Sequence, residues 1–339
     1  MKVLKRTVKL ILFILIFAFI FSYLSNLFCR KSLEGTWNQT QKISGFYNEP
    51  KNDFDIIFFG SSNTYCSFNP LVLYEQTGLK SYVFASQQQP VWATYSYIKE
   101  ALKTQNPQLL VVDVLMFSKD TEYYDDGVNY SYMDDIPLSK NKIELAAVSA
   151  PNGERLRLLI NFIKYHSRWS ELTREDYEFK RSETNDFLKG YTLLEDTFTE
   201  VRLPAQNITD TSPLSEKEIT YFYKIIELAK EHNIPLFFVK APSNADENDQ
   251  KLFNSIQKLA EDNGVQFVNY NNEYDKISFN INEDFYDKSH LNYRGADVFT
   301  KYFAKDMQKR FPVHPHDDVN STNEKWEADL EKYYKCIEK

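Results

Sequence analysis

Cysteine, histidine and glycine are scarce in this chain. Three cysteines in 339 residues, Cys29, Cys66 and Cys336, are too few and too scattered for a disulfide framework, and no C-x-x-C pair offers a zinc site. Of the five histidines, His314 and His316 form an isolated HPH near the end, thin support for a metal. Neither a metal nor a cofactor is expected. Basic residues are also in the minority, with 40 Lys and Arg against 48 Asp and Glu, a net charge of -8 and a pI near 5.3. That balance, with no basic stripe beyond the N-terminus, argues against a nucleic-acid partner. There is no internal repeat and no long low-complexity tract. What is present is a globular composition, 42% hydrophobic and 26% charged, long enough for one large domain or two small ones.

The N-terminus carries the one long apolar run. In "MKVLKRTVKLILFILIFAFIFSYLSNLFCRK", Lys2, Lys5, Arg6 and Lys9 precede a stretch that runs from Leu10 to Cys29, roughly 20 residues and enough to cross a bilayer as a helix. Four positive charges before it, against Arg30 and Lys31 after it, favour a cytoplasmic N-terminus and an extracytoplasmic body. A cleaved signal peptide is the rival reading, but small residues at an A-x-A-like site are lacking, and Phe28 before Cys29 is too bulky for a lipoprotein site. Residues 1–31 therefore read as a membrane anchor in a single-pass cell-membrane protein, and 32–52, polar and aperiodic, as a tether.

Beyond the tether, "FDIIFF", "SYVFA" (81–85), "QLLVVDV" (108–114), "PLFFVKAP" (235–242) and "VQFVNY" (265–270) are continuous apolar runs, the pattern of strands covered on both faces. Helical patterns lie between them, over 91–104, 217–232 and 251–263. The alternation predicts an α/β fold: a three-layer αβα sandwich around a mostly parallel sheet, occupying 53–311. Residues 118–215 interrupt it with a charged, tyrosine-rich insertion that has one helical pattern over 154–167. The tail 312–339 ends in an amphipathic helix with Trp326, Leu330, Tyr333 and Ile337 on one face.

The chemistry concentrates at two places. "DIIFFGSSNTYCSFNP" (55–70) ends a buried strand on Gly60-Ser61-Ser62, and in open α/β sheets the ligand crevice lies outside the strands' carboxyl ends. A serine there needs a base and a group to orient that base. "FYDKSHLNYRGAD" supplies both types, with Asp287 three residues before His290, close enough on a tight turn to reach the ring's Nδ1. The plainer reading makes Asp287 and Ser289 caps of a helix starting near Asn292. Cys66 is a rival nucleophile, though no nearby cation would lower its pKa. Tyr123, Tyr124, Tyr130 and Tyr132 in the insertion are candidates for sugar stacking or for local packing.

A strand followed by GSS near the start of the body, and D-x-S-H-L-N-x-x-G near its end, resemble the SGNH/GDSL hydrolase superfamily. The chain is most similar to its membrane-anchored DltD-like, cell-envelope O-acyltransferase branch. The resemblance implies a flavodoxin-like fold and acyl or ester chemistry through an acyl-serine, with Ser62 as nucleophile, His290 as base and Asp287 as its orienter, while Ser61 stands where the superfamily has an aspartate. Two blocks depart from that pattern. The second normally supplies a glycine N–H to the oxyanion hole, but 85–90 has none, leaving Ser61, Gln87, Gln88 and Gln89 as candidates. The third normally offers an asparagine, and this chain has Asp113, which would repel an oxyanion if it faced one.

The resulting expectation is an extracytoplasmic serine-dependent acyltransferase or esterase acting on a cell-envelope polymer, such as a teichoic acid or polysaccharide. In the resembling family a multi-pass membrane O-acyltransferase delivers the acyl group. The two departures equally suit a noncatalytic protein that binds glycan or scaffolds such a partner.

Overall fold

The computed structural model describes residues 2–33, 35–118, 121–317 and 321–338. Five strands form one fully parallel sheet: β1 (Ile56–Phe59), β2 (Ser81–Val83), β3 (Leu109–Asp113), β4 (Leu236–Lys240) and β5 (Gln266–Asn269), in the order β2-β1-β3-β4-β5. Each falls within one of the five apolar runs. The sequence Ile-Ile-Phe-Phe of β1 is wholly buried because it has strands on both edges and helices on both faces. Successive side chains alternate between those faces. Phe58 and Phe237 meet Phe303 on one side at 5.6 and 6.2 Å between ring centroids, and Phe238 stacks on Phe222 on the other at 4.7 Å. The flavodoxin-like order puts the switch point at β1 and β3, whose chain connections leave in opposite directions and open a crevice at their carboxyl ends.

The helices are, in chain order, α1 (Lys2–Phe28), α2 (Gln39–Asn48), α3 (Ser62–Ser67), α4 (Pro70–Thr77), α5 (Val91–Ala101), α6 (Asp126–Met133), α7 (Lys140–Ser149), α8 (Arg155–Leu159), α9 (Asn161–Tyr165), α10 (Arg174–Glu178), α11 (Glu216–Glu231), α12 (Glu247–Asp262), α13 (Tyr274–Ile277), α14 (Tyr293–Arg310) and α15 (Asn323–Ile337). Helix α1 is long and apolar enough to cross a membrane, with mean hydropathy 2.4 over an 18-residue stretch within Val3–Phe28. The major sheet-covering helices carry strong boundary signals. Ser215 and Glu218 form a capping box for α11, and Asp246 and Asp249 one for α12.

Two segments differ from the sequence-based expectation, while the tail helix falls where it was expected. Where an aperiodic tether was expected over 32–52, α2 packs on the sheet, with Ile43 and Phe46 fully buried and Phe46 stacked on Phe84 at 4.0 Å. Its helix-wide periodicity is masked because Lys42 is also buried, with its backbone carbonyl taken by the Tyr82 hydroxyl. The helix expected over 154–167 is broken at Ile160, whose extended backbone separates α8 from α9. In the tail, α15 docks on the body: Trp326 lies against Tyr74 at 5.2 Å and the Tyr333 hydroxyl donates to Asp297 at 2.7 Å.

Candidate active site

Ser62 is the first residue of α3, immediately beyond β1. The strand can turn into the helix so abruptly because Gly60 adopts φ +154, and a Cβ there would lie 2.0 Å from Thr64 Oγ1. His290 stands instead in an irregular loop. Phe285 and Leu291 bridge as an antiparallel pair, and the Tyr286 amide donates to the His290 carbonyl at 2.9 Å. Asp287 organises the loop from within, its Oδ1 accepting from the Ser289 and His290 amides at 2.7 and 2.9 Å. Helix α14 is capped not by Asp287 or Ser289 but by Asn292, which accepts from the Arg294 and Gly295 amides. Gly295 is required there, since a Cβ would meet the Asp284 carbonyl oxygen at 2.1 Å.

The two ends of the chain meet in one hydrogen-bonded line. The His290 Nε2 is 2.9 Å from Ser62 Oγ, and its Nδ1 is 2.8 Å from Asp287 Oδ2 and 3.1 Å from Oδ1. With Nδ1–H donating to Asp287, Nε2 is left to accept from the serine hydroxyl. Burial pushes the Asp287 carboxyl up, but the His290 ring and the Ser289 and His290 amides outweigh it and hold that carboxyl below its ordinary value. It is therefore an anion at neutral pH, suited to supporting an imidazolium.

Several groups that lock this meeting had no signature in the sequence. Asn63, next to Ser62, donates from Nδ2 to the Ser289 and Pro242 carbonyls at 3.2 and 3.0 Å and accepts at Oδ1 from the buried Lys240 Nζ at 2.8 Å. One side chain thus ties the nucleophile turn, the end of β4 and the histidine loop together. The strap 189–198, within the insertion, does the same from outside. Lys189 O accepts from Val83 of β2, Thr192 N donates to Tyr65 O, and Phe198 N donates to Phe285 O. Lys189 itself is anchored by a buried ion cluster with Glu49, just beyond α2, and Asp329 of α15, at 2.9 and 3.1 Å. Trp37, ahead of α2, packs edge-on against His290, Tyr65 and Tyr286 at 5.8 to 6.1 Å.

The Ser62–His290 pair opens into a cavity of about 550 Å³ lined by Trp37, Ser61, Ser62, Tyr65, Gln87, Gln88, Leu115, Met116, Thr121, Tyr124, Ser289 and His290. Gln89 is not among them: its side chain is buried and donates to Thr94 Oγ1 at 3.0 Å, so it is withdrawn from the oxyanion candidates. Gln88 is retained and holds φ +47, the left-handed backbone that favours the glycine this stretch lacks. Ser61 Oγ is buried beside the cavity with no hydrogen-bond partner among the described residues. The Ser62 amide, at the first position of α3, has no intrahelical acceptor. Asp113 does not face the cavity chemistry; its carboxylate accepts from Leu115 N and Ala241 N at 3.0 and 2.7 Å and fastens β3 to the end of β4.

The rival assignments resolve on burial. Cys66 is fully buried, and desolvation pushes its thiol far above the ordinary range. Of the four insertion tyrosines, Tyr124 lines the cavity. Tyr132 is core, while Tyr123 and Tyr130 lie against Lys217 and Lys164. Among the described residues no group of His, Cys, Asp and Glu is arranged to hold a metal ion.

A protein-family model matches residues 173–312, a stretch that takes in Asp287 and His290 and leaves out Ser62. No curated protein matches the sequence. Among solved structures, a Bacteroides fragilis protein described as a "putative acylhydrolase" is similar at 13% identity, over 82% of this chain and 99% of that one, with a TM-score of 0.39. At that level of similarity the fold and the site rest on this chain's own geometry.

Proposed function

We propose that this chain is a membrane-anchored serine acyltransferase or esterase, of the SGNH type its motifs resemble, that acts outside the cytosol on a cell-envelope polymer. The observation that carries the reading is the unbroken Ser62–His290–Asp287 hydrogen-bonded line between residues more than two hundred positions apart. Ser62 Oγ attacks the acyl carbonyl while Nε2 takes its proton. The tetrahedral intermediate then expels the leaving oxygen, which receives that proton, and an acyl-serine remains. Water or a sugar hydroxyl, deprotonated by His290, releases the acyl group to complete hydrolysis or transfer.

The cavity supports an uncharged acyl group and a neutral acceptor. Its described lining residues include no Asp, Glu, Lys or Arg, and Trp37, Tyr65 and Tyr124 offer ring faces. The amides of Ser62 and the 87–88 turn are the candidate oxyanion donors. A multi-pass membrane acyltransferase remains the fitting acyl source. Retention of α1 as an anchor is supported by its last turns, where Leu27, and Cys29 just beyond it, are buried against the body. Fluorophosphonate labelling tests the nucleophile: the unsubstituted chain should label and Ser62→Ala should not. Equal labelling of both would reject Ser62.

A further inference from the structure

Helix α1 does not simply lead into the body; the insertion clasps its last two turns. The Phe162 ring of α9 packs on both Phe21 and Phe28, at 5.5 and 5.6 Å, and the Phe162 amide donates to Ser25 Oγ at 3.2 Å. Arg168 donates to the Phe28 carbonyl at 2.7 Å, and both Arg168 and Lys31 bind Asp176 of α10 at 3.2 Å. Tyr177 of α10 lines a pocket with Tyr23, Asn26 and Leu27, and Leu138 lines another with Phe21 and Ser22. The clasp therefore extends over Phe21 to Phe28, about 10 Å of helix at 1.5 Å per residue.

That length matters because α1 has none to spare. Lys9 is the last charge before the apolar run, and Leu10 to Phe28 rises about 28 Å, against a hydrocarbon core of about 30 Å. If α1 crosses the bilayer, residues 21–28 lie at its outer boundary, and whatever is fastened beside them lies there too. The same part of the insertion exposes large apolar side chains: Leu138 is 71% exposed, Leu156 62%, Ile163 45%, Trp169 71% and Tyr177 59%. Trp and Tyr are the residues enriched at that depth.

We infer that segment 138–177 forms a collar seated in the outer lipid headgroup and upper acyl region around α1, with Trp169, Leu156 and Ile163 in contact with lipid. The occupant of this surface is a lipid bilayer, by continuity with the exposed apolar flank of α1. The inference rests on the reading of α1 as a retained anchor and is independent of the chemistry at Ser62.

The test places the full chain in phosphatidylcholine vesicles with or without bromine near the headgroup end of the acyl chains, and reads tryptophan fluorescence. Brominated lipid should quench the unsubstituted chain, and Trp169→Phe should lose most of that quenching, leaving Trp37, Trp92 and Trp326 as the residual signal. Leu156→Ser combined with Ile163→Ser should reduce the quenching without altering fluorophosphonate labelling. An alkaline carbonate wash separates the two readings. Release of the chain would overturn the anchor and the collar together. Retention with no Trp169-dependent quenching would overturn the collar alone, and capture of a membrane protein by a photo-crosslinker at position 169 in native membranes would then reassign the face to that protein.

Discussion

Ser62 and His290 occupy the same crevice, but the first is placed where a buried strand passes directly into a helix, and the second by a loop whose shape depends on groups from elsewhere. The strand-to-helix turn needs only the interior strand β1 and the backbone freedom of Gly60. The histidine loop is held by Asp287 from inside, by Asn63 from the nucleophile side and by Phe198 of the strap from outside. The lesson is that the nucleophile comes with the sheet, whereas the base has to be assembled. Damage to the loop should therefore cost activity with little cost in fold, and the reverse should hold for the sheet.

The hardest test of that contrast is Asp287→Asn. The amide oxygen can still accept from the loop amides, so the melting temperature should barely move, while the imidazole loses its tautomer control. A fall in kcat of about 10⁴-fold is expected, as for amide replacement in other serine triads. Retained activity would remove Asp287 from the machinery. Asn63→Ala comes next. It frees the Ser289 carbonyl and deprives Lys240 of one acceptor, and loosening the histidine by even ~1 Å should lower kcat about 10²-fold, with about 1–3 kcal/mol lost from stability. A stability loss with unchanged kcat would mean that the loop holds itself.

The last test leaves the catalytic line untouched and probes the joint between α4, α14 and α15. Asp297 on α14 is bonded to Asn69, which caps α4, and to Tyr333. Burial pushes its carboxyl up to about 6 against the lowering effect of those two bonds. A carboxyl raised in the folded state binds its proton more tightly there than in the unfolded chain, so its contribution to stability declines as pH rises from about 4 to about 6. Asp297→Asn should gain on the unsubstituted chain across that window, by up to about 3 kcal/mol. Parallel melting curves across pH would refute this.

The sequence and the structure agree where one physical cause dominates. A strand buried on both faces must be apolar throughout, so all five strands could be read directly from their runs. The pairing of Ser62 with Asp287 and His290 was legible only from the combination, since a serine at a strand's carboxyl end or a D-x-x-H turn taken alone serves equally well as a helix cap. What escaped detection depends on neighbours. Helix α2 reads as polar because Lys42, a residue type usually left in water, is buried there, with its Nζ 4.3 Å over the Tyr65 ring and its pKa pulled down to about 8 by burial. Asn63 is one of many asparagines until Lys240 and Ser289 are brought to it. Gln89 looked available because nothing in the stretch SQQQP marks Thr94 as its partner, and the strap 189–198 has no periodicity because its bonds go to three different elements.

Trp37 lies nine positions beyond the end of α1 and touches the imidazole, so the reactive centre is leashed. Nine extended residues span at most about 30 Å, and on the proposed orientation that radius is measured from the bilayer surface. On the proposed function, acceptors carried further out in the envelope lie beyond reach, so a polymer would have to be modified while it is still close to the membrane.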